Sequence, residues 1–238
     1  AEDGIRAAQE SRGLGDVYKR QTEDTINDIN PATGEIIATI PKSGSDVVEG
    51  AVNAAESARK NWAGLSLEER TVWLDKIADV LESKSEAIAS LESLDTGKPI
   101  SLARTVHASR SVANFRFFAE FARDYVEEKF EMEDAINHVI LKPVGIAGLI
   151  TPWNLPLYLL SWKIAPAIVM GNTVVAKPSE LTPLTANLLA EVIHEVGLPP
   201  GVVNIVHGFG SEAGQFIVEH PKVNLISFTG CLLYTSPS

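Results

Sequence analysis

Through the latter part of the chain, short apolar runs with strong β character alternate with helical stretches, and this alternation leaves few folds open. The runs are 145–150, 173–176, 202–206 and 225–228. The helix after the first starts at Pro156 and is predicted to end at Gly171. The next takes Thr182 as N-cap and Pro183 as first helical residue, and stops at Gly197 and Pro199. A third begins near Ser211 and ends at His220-Pro221. Strands alternating with helices in this way predict an α/β fold with a doubly wound parallel sheet. Right-handed crossovers would place helices on both of its faces.

The front half reads differently. Asn-Pro and Thr-Gly turn formers, followed by the apolar run 36–40, predict a hairpin over 29–41. A helix capped at Ser45 presents Val48, Ala51, Ala55, Ala58 and Trp62 on one face. The next opens on a capping box, Ser66 to Glu69, and is expected to bury Trp73, Ile77 and Val80. A third carries Ile88, Leu91 and Leu94 and stops at Gly97 and Pro99. A fourth, rich in Phe, runs over 106–118. This part reads as a scaffold with little chemistry in it. Near Ile136 the texture turns to β, and 137–142 looks like an edge strand or interface ribbon.

Composition narrows the function classes. The 238 residues are 45% hydrophobic and 21% charged, the balance of a globular protein. A net charge of −11 disfavours phosphate backbones, so nucleic acid is not an expected partner. The longest apolar run, 164–170, is too short to cross a bilayer, and no signal-peptide pattern opens the chain, so the expected location is cytoplasmic. One cysteine, Cys231, excludes an internal disulfide. Five histidines, none in an i,i+4 pair, and no Cys–His cluster argue against a metal site.

In doubly wound sheets ligands bind beyond the carboxyl ends of the strands, so the segments that follow each strand matter most. These are Thr151-Pro152-Trp153-Asn154, Lys177-Pro178-Ser179-Glu180, the glycine-containing stretch through Gly208, Gly210 and Gly214, and Thr229-Gly230. A lysine at a strand end suits ribose hydroxyls or phosphate, and a carboxylate three residues on can accept both hydroxyls of a diol. The same residues also fit a surface lysine and a helix-start glutamate. The glycines let a backbone approach a ligand, but their spacing is not Gly-x-Gly-x-x-Gly, and a plain turn explains them equally well. Asn154, stiffened between Pro152 and Pro156, could donate to an oxyanion or cap a helix.

Taken together, Pro152-Trp153-Asn154, the stretch from Gly171-Asn172-Thr173 to Lys177-Pro178-Ser179-Glu180, Gly197-Leu198-Pro199-Pro200-Gly201-Val202-Val203-Asn204 and Phe228-Thr229-Gly230 resemble the aldehyde dehydrogenase superfamily. The resemblance runs from about Ile29 to Gly230. It implies a Rossmann-like NAD-binding domain and a set of roles. Asn154 matches the side-chain oxyanion donor. Ile150, Thr151, Pro152 and Trp153 match the strand end and loop beside the nicotinamide. Lys177, Ser179 and Glu180 match the adenosine-ribose side, which implies NAD over NADP. Gly210 and Gly214 match the turn and helix along the adenosine, and Phe228, Thr229 and Gly230 match the strand end leading to the pyrophosphate helix. The stretch 126–142 matches a segment through which subunits associate, implying a homo-oligomer, dimer or tetramer. The wording Asn154-Leu155-Pro156-Leu157, the run 114–119 and Ser161-Trp162-Lys163 look like the muconic semialdehyde branch, with betaine aldehyde dehydrogenases sharing much of it.

The implied chemistry is attack by a cysteine thiolate on an aldehyde, hydride transfer to NAD, and hydrolysis of the thioester by glutamate-activated water. In the family the cysteine and the glutamate lie downstream of Phe-Thr-Gly. Cys231 follows Gly230 directly, where the family continues Gly-Ser-Thr, and so does not match the nucleophile. Residues 1–21 and 231–238 resemble translated sequencing-adapter text and are set aside. The expected organisation is then a helical part over 22–124, an oligomerisation ribbon over 125–143 and an NAD-binding α/β core over 144–230. Two other readings stand beside the oxidoreductase: a catalytically inert NAD-binding fragment, and a CoA-acylating enzyme, against which Pro152-Trp153-Asn154 and Glu180 count.

Overall fold

A computed structural model describes residues 24–230. The two adapter-like ends, Cys231 among them, lie outside the described residues.

The core is a four-stranded sheet made of β5 (Ile146–Ile150), β6 (Thr173–Lys177), β7 (Val203–Ile205) and β8 (Val223–Phe228), in the order β7-β6-β5-β8. Every pairing in it is parallel. The predicted α/β parallel sheet is therefore present, with strand boundaries within two residues of those read from sequence. β5, β6 and β7 are buried along their whole length, as strands covered on both faces must be. Successive side chains divide between the faces. Ala147, Leu149, Val174, Ala176, Val203 and Ile205 join one core cluster, and Ile146, Val175 and Val206 join the other.

The second, smaller cluster is filled by α1 (Ser45–Ala63) through Val48, Ala51, Val52 and Ala55, and by Ile217 of α7 (Gln215–Glu219). Here the sheet needs a glycine: a Cβ at Gly148 would stand 2.6 Å from Ile217 and 2.7 Å from Ile226. The larger cluster holds α2 (Leu67–Ser83), α3 (Ser85–Thr96), α4 (Ser109–Arg123), α5 (Pro156–Val169) and α6 (Leu184–Glu195). α4 is led in by a π-helical stretch, Ala103–Ala108. Arg70, nearly buried, spends its guanidinium on main-chain carbonyls, donating to Val169 at 2.7 Å and to Leu65. It thereby satisfies the last carbonyl of α5, while Trp62 Nε1 donates to that of Ile168 at 2.9 Å.

Two antiparallel hairpins stand outside the sheet. β1 (Thr25–Ile29) pairs with β2 (Ile36–Pro41), the hairpin expected over 29–41 although it begins earlier in the chain. β3 (Lys129–Glu131) pairs with β4 (Ile136–His138), exposed throughout, where the ribbon was expected.

Several local expectations need correction. α1 is capped at Gly44, with Ser45 inside the helix. The Ser66–Glu69 capping box forms, but α2 buries Leu74, Ile77, Ala78 and Leu81 completely, while Trp73 and Val80 pack at the margin. α5 ends at Val169, two residues before Gly171. α6 begins at Leu184, and Thr182 does not cap it. The front half is also not a chemically plain scaffold, because α3 buries Glu92 and Asp95.

Candidate active site at the carboxyl rim of the sheet

The strand ends converge as expected. Ile150 pairs in register with both Lys177 and Phe228, so three of the four C-terminal strand ends lie level. The rim is stitched beyond the strands: Thr151 N–H donates to the Lys177 carbonyl at 3.2 Å, and Thr229 N–H to that of Ile150 at 3.0 Å. The strand order reverses between β5 and β8, which is where such sheets open a crevice.

On one side of β5 lies a polar pair. The Lys177 ammonium, almost wholly buried, donates to Glu180 Oε2 at 2.8 Å. Ser179 Oγ accepts from Leu181 N–H at 3.2 Å and shapes the turn that presents Glu180. Gly214 lies against the lysine stem, and a Cβ there would sit 3.5 Å from Lys177 Cδ. At Gly210 an added Cβ would meet nothing within 4 Å, so space is open at the start of the turn. That turn, π-helical over Gly210–Gly214, is held from the β2 end. Lys42 pairs with Glu212 at 2.9 Å and lies over the Phe209 ring, and Ser43 N–H donates to the His207 carbonyl at 2.8 Å. Gly208 makes the sharp corner, with φ 155° and a Cβ position 2.9 Å from Ala213 Cβ. Burial, reinforced by repulsion from Lys177, pushes the His207 imidazole down to about 4, so it adds no second charge beside the ammonium.

In the loop that follows β5, Thr151 is buried while Trp153 and Asn154 reach solvent. The helix-capping alternative for Asn154 fails. The N-cap of α5 falls on Leu155 without a side-chain bond, and Leu157 N–H is accepted instead by Glu92 at 3.2 Å. The Asn154 carboxamide is thus not engaged by the helix start, and the main-chain carbonyl of Asn154 accepts a hydrogen bond from Lys98 Nζ. Among the described residues no hydrogen bond joins Asn154 to the Lys177–Glu180 pair: Asn154 is held by Lys98, and Lys177 by Glu180. Phe228, Thr229 and Gly230 lie exposed at its β8 edge. Lys163 on α5 donates to Ser227 Oγ at 2.6 Å and ties that edge to the helix layer.

Behind the rim sits a group that sequence reasoning missed. Glu92 Oε1 also accepts from Thr185 Oγ1 at 3.2 Å, and Glu92 Oε2 stands 3.3 Å from His107 Nδ1. Asp95 Oδ2 accepts from Leu184 N–H at 3.0 Å. Asp28 of β1 is buried beside Asp95. Burial pushes the Asp28 carboxyl up to about 6, and burial together with the neighbouring Asp28 pushes Asp95 up to about 9. No local sequence signal marks this group, since the groups that donate to it from α5 and α6 lie 65 to 93 residues further along the chain. Among the described residues no cluster suited to a metal ion occurs, and no helix is long and apolar enough to cross a membrane.

A parallel sheet whose strand order reverses at β5, with a Lys–Glu pair after β6 and an amide-bearing loop after β5, is a doubly wound α/β unit. The chain belongs to the aldehyde dehydrogenase family, whose model matches residues 18–232. It is 50% identical over 207 residues to the human 2-aminomuconic semialdehyde dehydrogenase, covering 86% of this chain and 42% of that protein. It is 47% identical over 213 residues to the 2-hydroxymuconic semialdehyde dehydrogenase of Pseudomonas sp. strain CF600, covering 87% and 44%. The chain therefore spans less than half the length of these relatives. Among solved structures it resembles an NAD+ complex of an aldehyde dehydrogenase from Bacillus cereus, with TM-score 0.84, 38% identity, and 87% and 43% of the two chains covered. It also resembles an aldehyde dehydrogenase from Pseudomonas syringae holding NAD+ and octanal, with TM-score 0.81, 37% identity, and 86% and 42% covered.

Proposed function

We propose that the chain is the cofactor-binding part of a longer NAD-dependent aldehyde dehydrogenase acting on a muconic semialdehyde. The observation that carries the reading is the level rim, where Lys177 meets Glu180 at the end of β6 and the loop bearing Asn154 follows β5. Relatives named for muconic semialdehydes support the substrate class, and the NAD+ complexes among structural relatives support the cofactor.

The residues present fit a dinucleotide. The Lys177 ammonium and the Glu180 carboxylate offer a donor and an acceptor to the adenosine ribose, and open space at Gly210 admits the adenosine side. When bound, NAD supplies the hydride acceptor. Ile150, Thr151, Pro152 and Trp153 would line its nicotinamide end. Asn154 presents a neutral amide donor to the oxygen of the aldehyde as that oxygen becomes an oxyanion, the kind of stabilisation that requires a donor aimed in advance. The cysteine nucleophile and glutamate base are assigned to sequence downstream of Gly230, so the 238-residue chain alone is expected to bind NAD and turn nothing over. The exposed β3–β4 ribbon is the proposed seat of self-association.

Asn154→Ala in the full-length protein tests the reading. Removing one oxyanion donor typically costs ~100-fold or more in rate. That loss is expected with little change in NAD affinity, and an unchanged rate removes Asn154 from the mechanism.

A further inference from the structure

α5 and α6, the helices that follow the two ligand loops, begin without caps of their own. The N-cap positions are Leu155 and Pro183, and neither makes a side-chain cap bond. Thr182 Oγ1, the expected cap of α6, is buried without a partner. Free N–H groups at a buried helix start must be satisfied from elsewhere. Here both are satisfied by one element. Glu92 on α3 accepts from Leu157 N–H at 3.2 Å, and Asp95, one helical step on, accepts from Leu184 N–H at 3.0 Å. Gly97, in the left-handed region at φ 72°, then turns the chain so that Lys98 donates to the Asn154 carbonyl. Carboxylates at helix N-termini are favoured by the helix dipole, and more so when water is excluded.

We infer that Glu92, Asp95 and Lys98 form a strut that positions the two ligand loops relative to each other, with Lys98 fixing the peptide from which the Asn154 amide projects. All three are positioning residues, acting through groups that touch ligand. The inference for Lys98 rests on the proposed role of Asn154; the strut itself does not. Lys98 is the member to test, because it is half-buried at the edge of the strut, whereas Glu92 lies in the core.

The experiment pairs two readouts. In the full-length protein, amide hydrogen exchange is followed in wild type and Lys98→Met. Faster exchange confined to residues 152–160, with β6 unchanged, is expected. In the full-length protein, Lys98→Met, Asn154→Ala and the double variant are compared. Misplacing a catalytic group by an ångström costs up to about 100-fold. Lys98→Met is expected to lower kcat about tenfold or more with the KM for NAD held, Lys98→Arg to recover part of it, and the double variant to be no slower than Asn154→Ala. Unchanged exchange over 152–160 overturns the strut, and losses that multiply in the double variant overturn action through Asn154. Should Asn154→Ala leave the rate intact, the oxyanion reading falls, while the exchange result still decides whether Lys98 holds the loop.

Discussion

At Glu180 one carboxylate meets a buried ammonium 2.8 Å away and, on the proposed reading, the hydroxyls of a ribose. Its charge matters as much as its oxygens, because a 2′-phosphate brought to the same place would face it across a few ångströms in a partly dry site. Glu180→Gln keeps an acceptor and removes the charge. The preference for NAD over NADP is then expected to narrow by about tenfold, with NAD affinity falling less, since a hydrogen bond to a charged group is worth roughly 1.5–3 kcal/mol and one acceptor survives. Titrating wild type and variant with both dinucleotides decides it, and an unaltered ratio would remove Glu180 as the discriminating group. Residues of this kind were legible because the strand-end rule places them before any side chain is seen. Their roles were not: Lys177 and Glu180 also read as a surface lysine and a helix-start glutamate. What separates the readings is that Lys177 is almost wholly buried, a property of the sheet and not of the four-residue segment.

α3 shows where reading by element stops. Its period correctly placed Ile88 in the core and the helix end at Gly97, and the Ser66–Glu69 capping box of α2 was equally local and equally visible. Periodicity ranks apolar residues, however, and has no means of ranking a carboxylate whose partner is an N–H group 65 or 89 residues away. The misplaced Thr182 cap has the same origin, because Asp95 already occupies the position a local cap would fill. The Asp28–Asp95 pair gives this element a pH dependence. Both carboxyls are raised above their unfolded value of 3.8, so the folded state binds protons more tightly than the unfolded one. The stability contributed is whole below that value and is lost as pH rises, through about 6 for Asp28 and onward to about 9 for Asp95. Glu92 adds to the repulsion at Asp95, while His107 and Lys98 lie near Glu92. Asp28→Asn removes one charge of the pair, so its melting temperature relative to wild type is expected to climb between about pH 5 and pH 8. A constant difference across that range would show that the pair does not share a proton. Taking the difference cancels His207, whose lowered value works in the opposite sense, costing stability as pH falls from 6.5 toward about 4.

For the whole molecule, one core organised about a parallel sheet accounts for nearly everything described, and the β3–β4 hairpin is the exception. It projects without a buried residue, and its antiparallel register puts Phe130, Met132 and Val139 on one face, exposed by 55%, 64% and 41%. A two-stranded ribbon gains little from its own pairing and is marginal alone in water. Apolar side chains on such a ribbon, with unpaired strand edges beside them, suit contact with a second copy better than solvent. In a two-fold assembly each side chain counts twice, and full burial of a Phe is worth about 1.5–3 kcal/mol. On the proposed reading of the ribbon as the seat of self-association, Phe130→Asp in the full-length protein is expected to weaken that association by about 100-fold or more. The hairpin lies outside the sheet, so the fold and the dinucleotide rim should be left alone. Sedimentation across a concentration series, with NAD titration as the control for folding, reads both effects. A variant that associates as wild type does would move the subunit contact away from the ribbon. One that loses NAD binding along with association would mean that the hairpin supports the rim, and is not merely the surface through which copies meet.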